Sequence, residues 1–475
     1  MNTKTVFYLC FTLFVLFVSC KEKTDKENPH VAISERNLQR AMAILDTAVA
    51  YHFVGDEMAM ARFYNPYTGE RSEETGSIWM YSSAIEAANA ILHALETHKE
   101  HGNPKLYDEH FNRYTELLNK LYKSADYYKG TFTLTSYTQT KEWTVYGVDR
   151  GKGKGLARVE GIYNVYDDQQ WLVREYLEAY KSTGDRTYLT EAEYLTEYIL
   201  DGWDCTLDDN GNESGGITWG PGYVTKHACS NGPMVSPLVW LYEMYKDKDD
   251  KITYRYIDKD KNRKTAEMNK GEYYLQFAKK VYDWQKVNLL REDGVYADMM
   301  GGCDPNCGVS YETIAGTKYR KHNPLRSPQG KPYTYNCGTI VSGAADLFRV
   351  TRDSLYLNDG KTLSEASFAY FAKPGAETEG YYTYPTDGFS NWFNGVLMRG
   401  YVDMQPFDEG TAKNIESFQQ NLDYAYDNFL YKGFLPTNLL AGWKADEKEN
   451  RLEGMFSFTF AAEYAVLSHY ELARK

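Results

Sequence analysis

From residue 38 onward the apolar positions recur at helical spacing. Leu38 to Tyr51 is amphipathic, and Ile78 to Leu95 places Ala84, Ala87, Ala88, Ile91, Leu92 and Leu95 on one face. Leu106 to Tyr128 continues the pattern until a polar stretch, Thr131 to Lys154, interrupts it. The same periodicity predicts helices over Trp171–Ser182, Leu189–Leu200, Pro233–Tyr245, Gly271–Leu289, Gly338–Val350, Thr362–Phe371, Trp392–Asp403, Ile415–Tyr431 and Met455–Ala473. Strand-like alternation is scarce.

The helices come in pairs, and one junction recurs. Thr183-Gly184-Asp185-Arg186-Thr187-Tyr188-Leu189 is echoed by Thr351-Arg352-Asp353-Ser354-Leu355-Tyr356-Leu357, each between a preceding and a following helix. This is the hairpin unit of an α/α toroid, in which each pair needs its neighbours to bury its apolar face. About a dozen helices suit an all-α (α/α)6 barrel, six helical hairpins closed in a ring, with the long Gly-, Trp- and Tyr-rich loops gathered at one rim.

The N-terminus reads differently. Lys4 precedes the apolar run Val6 to Val18, which is short for a membrane span and fits an export signal over residues 1–20. The run ends Leu16-Phe17-Val18-Ser19-Cys20, which resembles a bacterial lipobox with Cys20 as the lipidated residue. The charged segment that follows reads as a tether over residues 21–33, ahead of one domain over 34–475. These features imply attachment to the outer membrane of a Gram-negative bacterium through a lipid anchor, on its periplasmic or outer face.

Composition narrows the partners. With 43% hydrophobic and 15% aromatic residues, the 475-residue chain has enough apolar material for a large core. A net charge of −13 disfavours nucleic acid and anionic polymers such as uronic-acid chains, and leaves a neutral ligand as the simplest expectation. The 43 Tyr and 9 Trp suit sugars, whose CH faces and hydroxyl edges match rings that carry a polar tip. No nucleotide-binding motif is present.

Outside the signal, Cys205, Cys229, Cys303, Cys307 and Cys337 are odd in number; Cys303 and Cys307 could form a local disulfide, and no zinc pattern accompanies them. Asp258-Lys259-Asp260-Lys261-Asn262, inside the charged insertion Lys246 to Lys270, begins like a calcium loop. It has Arg263 where that loop needs Gly and Asn269 where it needs Glu, so a solvated turn is expected, and no metal or other cofactor.

The chemistry is carried by Tyr166-Asp167-Asp168-Gln169-Gln170-Trp171. Adjacent carboxylates beside an aromatic ring match the needs of glycosidic-bond hydrolysis, in which one group attacks or stabilises the anomeric carbon and the other protonates the leaving oxygen. Neighbours in a regular helix diverge by about 100° at 3.6 residues per turn, so both can face one cleft only at or just before a helix start.

This segment, with Tyr180, Thr183-Gly184-Asp185, Gly215-Gly216-Ile217-Thr218-Trp219, Lys226, Ser230-Asn231-Gly232-Pro233 and Tyr335-Asn336-Cys337-Gly338, resembles glycoside hydrolase family 76 over most of the mature chain. The family usually has Gln where Cys337 stands, and the charged insertion after Tyr245 is extra. The resemblance implies an (α/α)6 barrel that cleaves α-1,6-linked mannan internally and with retention, with Asp167 as nucleophile and Asp168 as general acid/base. Trp171, Trp219, Asn231, Tyr335 and Asn336 are then candidates to hold the sugar, Gly215-Gly216 to let backbone approach it, and Trp79 and Trp392 to line outer subsites. His227 has no Ser or Cys partner pattern and reads as structural. The expected partners are mannan, the membrane through Cys20, and no second subunit. Two rivals are a non-catalytic glycan-binding lipoprotein of an uptake system and an unsaturated glucuronyl hydrolase; the acidic balance weighs against the second.

Overall fold

The computed structural model describes residues 29–301 and 308–474. The lipobox with Cys20 and the Cys303–Cys307 pair lie outside the described residues. Twelve α-helices follow in order: α1 (Pro29–His52), α2 (Ile78–Glu100), α3 (Lys105–Ala125), α4 (Tyr166–Thr183), α5 (Arg186–Asp201), α6 (Val235–Tyr245), α7 (Lys270–Leu289), α8 (Thr334–Thr351), α9 (Ser354–Phe371), α10 (Ser390–Met404), α11 (Thr411–Phe429) and α12 (Gly454–Ala473). Helix α1 starts at Pro29, so residues 29–33, expected in the tether, are helical.

The even-numbered helices form a closed inner ring, α2 against α4, α4 against α6, and so on to α10 against α12 and α12 against α2. The odd-numbered helices pack outside it: α3 on α2, α5 on α4, α7 on α6, α9 on α8, α11 on α10, and α1 on α12. The chain ends therefore make the sixth pair and close the (α/α)6 barrel.

Burial follows from this placement. Inner helix α12 is covered on nearly every side, whereas outer α3 buries one stripe, Leu106, Tyr114, Leu118, Leu121, Tyr122 and Ala125. Glycine sets the closest approach in the ring. A Cβ on Gly338 would sit 2.6 Å from the Val396 carbonyl, and one on Gly400 2.6 Å from that of Gly338, so α8 and α10 meet backbone to backbone.

The recurring junction has one structural cause. Gly184 and Arg352 end α4 and α8 in the left-handed conformation, at φ 70° and 60°. Asp185 and Asp353 then cap the next helices by accepting the N–H of Thr187 and Leu355.

The stretch that breaks helical periodicity is a hairpin, Lys129–Thr135 paired with Thr140–Tyr146, which buries Phe132, Leu134, Trp143 and Val145. The charged insertion is a second hairpin, Lys251–Ile257 with Arg263–Asn269. At its tip Asp258 Oδ1 accepts the N–H groups of Asp260 and Asn262, a turn role that accounts for its acidic run.

Candidate active site

The first turns of four inner helices, α2, α4, α8 and α10, line a cavity of about 640 Å³ that contains Asp167 and Asp168. Both aspartates lie in the first turn of α4, where unpaired backbone N–H groups and the helix dipole favour negative charge.

The neighbouring loop is strapped in place by the polar residues of the sequence motif. Lys226 Nζ bonds to Asp204 Oδ2 at 2.9 Å and to the Gly215 carbonyl at 2.5 Å. Asn231 accepts the Ile217 N–H through Oδ1 at 2.8 Å and donates Nδ2 to the carbonyls of Ile217 and His227. The Ser230 hydroxyl donates to the same Ile217 carbonyl. The loop then pairs with α4: the Tyr166 N–H donates to the Trp219 carbonyl at 2.7 Å. The result is that Trp219 Nε1 points at Asp167 Oδ2, 3.1 Å away.

The two carboxyls differ in environment. Burial raises Asp167 to about 6, while the Trp219 indole, the Cys229 thiol and the Asp168 N–H, which donates to Oδ1 at 2.9 Å, hold it from going higher. Asp168 is pushed well above the usual carboxylate range by burial, by the charge of Asp167 and by that of Asp149. One group is thus eased toward ionisation and the other toward keeping its proton.

Aromatic rings surround the pair. Trp171 meets Trp392 edge-on at 4.7 Å and is only 5% exposed, so it forms floor rather than an open platform. Tyr335 stacks obliquely on Phe393 at 4.3 Å. Trp79 and Trp392 line the same cavity, with Tyr333, Phe389 and Phe393, which sequence reasoning missed. The Trp219 ring, which lines the cavity, is stacked on His227 at 4.8 Å. Burial lowers His227 to about 4 and its Nε2 lies 2.9 Å from Thr225 Oγ1, so it supports the ring as a neutral group.

Three expectations change. Asn231 is fully buried, with its amide used up by backbone groups, and does not reach the cavity. Asn336 is also fully buried; it lies behind Asp298 and lowers that carboxyl, which burial otherwise raises to about 6. It is Asp298 that lines the cavity. Gly215 and Gly216 face the rings of Trp203 and Trp284 instead of ligand space: a Cβ on Gly216 would sit 2.4 Å from Trp284 Cε2.

Gln169 and Gln170, quoted only as part of the motif, anchor α4. Gln169 exchanges hydrogen bonds with both backbone groups of Tyr146, and Gln170 Nε2 donates to the Ser230 carbonyl. Their partners lie 23 and 60 residues away, so no local pattern announces them.

The family model of glycosyl hydrolase family 76 matches residues 80–252 and 264–464. The chain belongs to this family. This family 76 glycoside hydrolase shares its helical barrel with a family 76 mannosidase, Bt3792, from Bacteroides thetaiotaomicron (19% identical, TM-score 0.66, covering 91% of this chain and 98% of that one). An α-1,6-mannanase from Salegentibacter also matches (19% identical, TM-score 0.58, 91% and 99% covered). In sequence, a mannan endo-1,6-α-mannosidase from Candida glabrata is 25% identical over 184 residues, 39% of this chain; the match spans about a third (32%) of that relative's length.

Proposed function

We propose that this hydrolase cleaves α-1,6-mannosidic linkages within mannan chains by double displacement. The observation that carries the reading is the placement of two adjacent carboxyls at one helix start in an aromatic cavity, one of them bonded by the Trp219 indole. Asp167, steadied by the Trp219 indole, attacks the anomeric carbon and forms a glycosyl ester. Asp168 gives its proton to the departing glycosidic oxygen. In the second step Asp168 takes a proton from water, the water oxygen attacks the same carbon from the opened face, and Asp167 leaves as carboxylate. Two inversions give net retention.

The relatives support the substrate class. Inactive variants of the Salegentibacter α-1,6-mannanase, with two consecutive aspartates replaced, have solved structures in complex with α-1,6-mannotriose and α-1,6-mannotetrose. Membership of a hydrolase family weighs against the reading as a non-catalytic binder. The same proposal includes a monomer held at the outer membrane through lipidated Cys20, supported by the lipobox pattern; conversion of Cys20→Ala to a soluble, unlipidated form would agree with it.

Incubation with unbranched α-1,6-mannan, followed by chromatography, tests the activity. The proposal expects a ladder of oligomannosides from the parent protein and none from folded Asp167→Asn or Asp168→Asn. Near-normal turnover by either variant would remove the assigned roles.

A further inference from the structure

A second cavity, larger than the first, lies on the outer wall of the barrel between α5, α7 and the two hairpins. It encloses about 780 Å³, and no residue that lines it lines the cavity of Asp167 and Asp168. Its size is that of a ligand site.

Its surface has a particular chemistry. Tyr256, Tyr254, Tyr273, Phe277 and Trp203 follow one another at centroid separations of 5.8, 5.8, 4.9 and 5.9 Å, a continuous aromatic row. Around the row, charges cancel in pairs: Lys141 with Glu197, Lys270 with Glu193 and Lys280 with Glu213, at 2.6, 2.6 and 2.9 Å. Asp201 accepts from Ser136 and Gln139 through Oδ1, which leaves Oδ2 without a hydrogen-bond partner. Lys251 and Arg255 complete the lining as two further hydrogen-bond donors. Aromatic rings bordered by mostly compensated charges suit a neutral ligand with apolar faces and hydroxyl edges.

The family pattern gives an independent indication. It stops at residue 252 and resumes at 264, so Tyr254 and Tyr256 stand on a segment outside the shared barrel. This part of the wall lies outside the family match, whereas Trp203, Tyr273 and Phe277 lie within it.

We propose that this groove is a second glycan-binding site, which holds a neighbouring stretch of the neutral mannan chain while cleavage proceeds at Asp167 and Asp168. The identity of the glycan rests on the function proposed above. Two holds on one polymer raise the effective concentration of its linkages at the cleft, whereas an oligosaccharide too short to reach both gains nothing.

The test compares Tyr254→Ala/Tyr256→Ala with the parent on mannan polymer and on α-1,6-mannotetraose. A separate readout is electrophoretic retardation in mannan-containing gels, in an Asp168→Asn background so that the polymer stays intact. The groove predicts a fall of about tenfold in kcat/KM on polymer, unchanged turnover of the tetraose, and weaker retardation. Unchanged kinetics and retardation, or a parallel loss on both substrates, would overturn it. If the parent cleaves neither substrate, the proposed function fails, and retardation of the Asp168→Asn protein with and without the two tyrosines still decides the groove. A variant with residues 253–263 shortened to a tight turn repeats the comparison should the double substitution not fold.

Discussion

Replacing Trp219 by Phe removes the indole N–H from Asp167 and keeps an aromatic ring in the cavity. The bond is 3.1 Å long and joins a buried carboxylate. Hydrogen bonds to charged groups contribute roughly 1.5–3 kcal/mol, and 1.36 kcal/mol is one pKa unit. Loss of the donor therefore raises Asp167 by about 1–2 units from its value of about 6. In the proposed role Asp167 works ionised, so the acid limb of kcat/KM moves up by about 1–2 pH units, while Asp168 leaves the alkaline limb nearly in place. The bell narrows from its acid side. The limbs belong to the coupled pair, and the comparison between parent and variant is the meaningful quantity. The assay is kcat/KM on a soluble α-1,6-mannooligosaccharide across pH 4 to 9, with thermal midpoints to show that both proteins are folded. An acid limb that stays where it is, with only KM raised, would show that Trp219 serves as a sugar platform alone.

Other substitutions follow from the same geometry. Asp167→Asn should stabilise the fold at pH 7 by on the order of 2 kcal/mol, because a carboxyl whose folded pKa is raised to about 6 opposes folding once it ionises; urea midpoints at pH 7 and pH 4 check this, with the gain vanishing at the lower pH. Asp204 behaves oppositely: burial raises it, but the Lys226 charge and bonds from His322 and Thr206 outweigh that and hold it below the usual range, so its stabilisation is present above about pH 4 and fades as pH falls further. Lys226→Met leaves that buried carboxylate without its ammonium partner, held only by His322 and Thr206, and should cost about 3 kcal/mol in urea denaturation at pH 7. Gly216→Ala combines a φ of +76° with a contact at 2.4 Å and should cost about 2–5 kcal/mol by the same measurement.

Much of the barrel is legible from helical spacing alone, since all twelve predicted helices form and the repeated Thr-x-Asp junction builds the same capped turn twice. The two hairpins were harder to see. Thr131, Thr133 and Thr135 depress the mean hydropathy of the first, yet Phe132 and Leu134 alternate with them, and Trp143 and Val145 alternate on the partner strand. The pair at the start of α4 is also readable, because only a helix start lets neighbouring carboxyls share a cleft. The difference in environment between Asp167 and Asp168 depends on Trp219, Cys229 and Asp149, which chain folding alone brings near. Asn231 shows the opposite error: an amide suited to a sugar hydroxyl is equally suited to strap a buried loop, and burial decides between them.

The central claim is that Asp167 attacks and Asp168 protonates at an α-1,6-mannosidic bond. The most direct test is the anomeric configuration of the first product, read by proton NMR in the opening minutes of mannan hydrolysis before mutarotation. The account predicts that the α-anomer appears first and that it is absent with Asp167→Asn. Initial release of the β-anomer would contradict it, as would undiminished release by the variant.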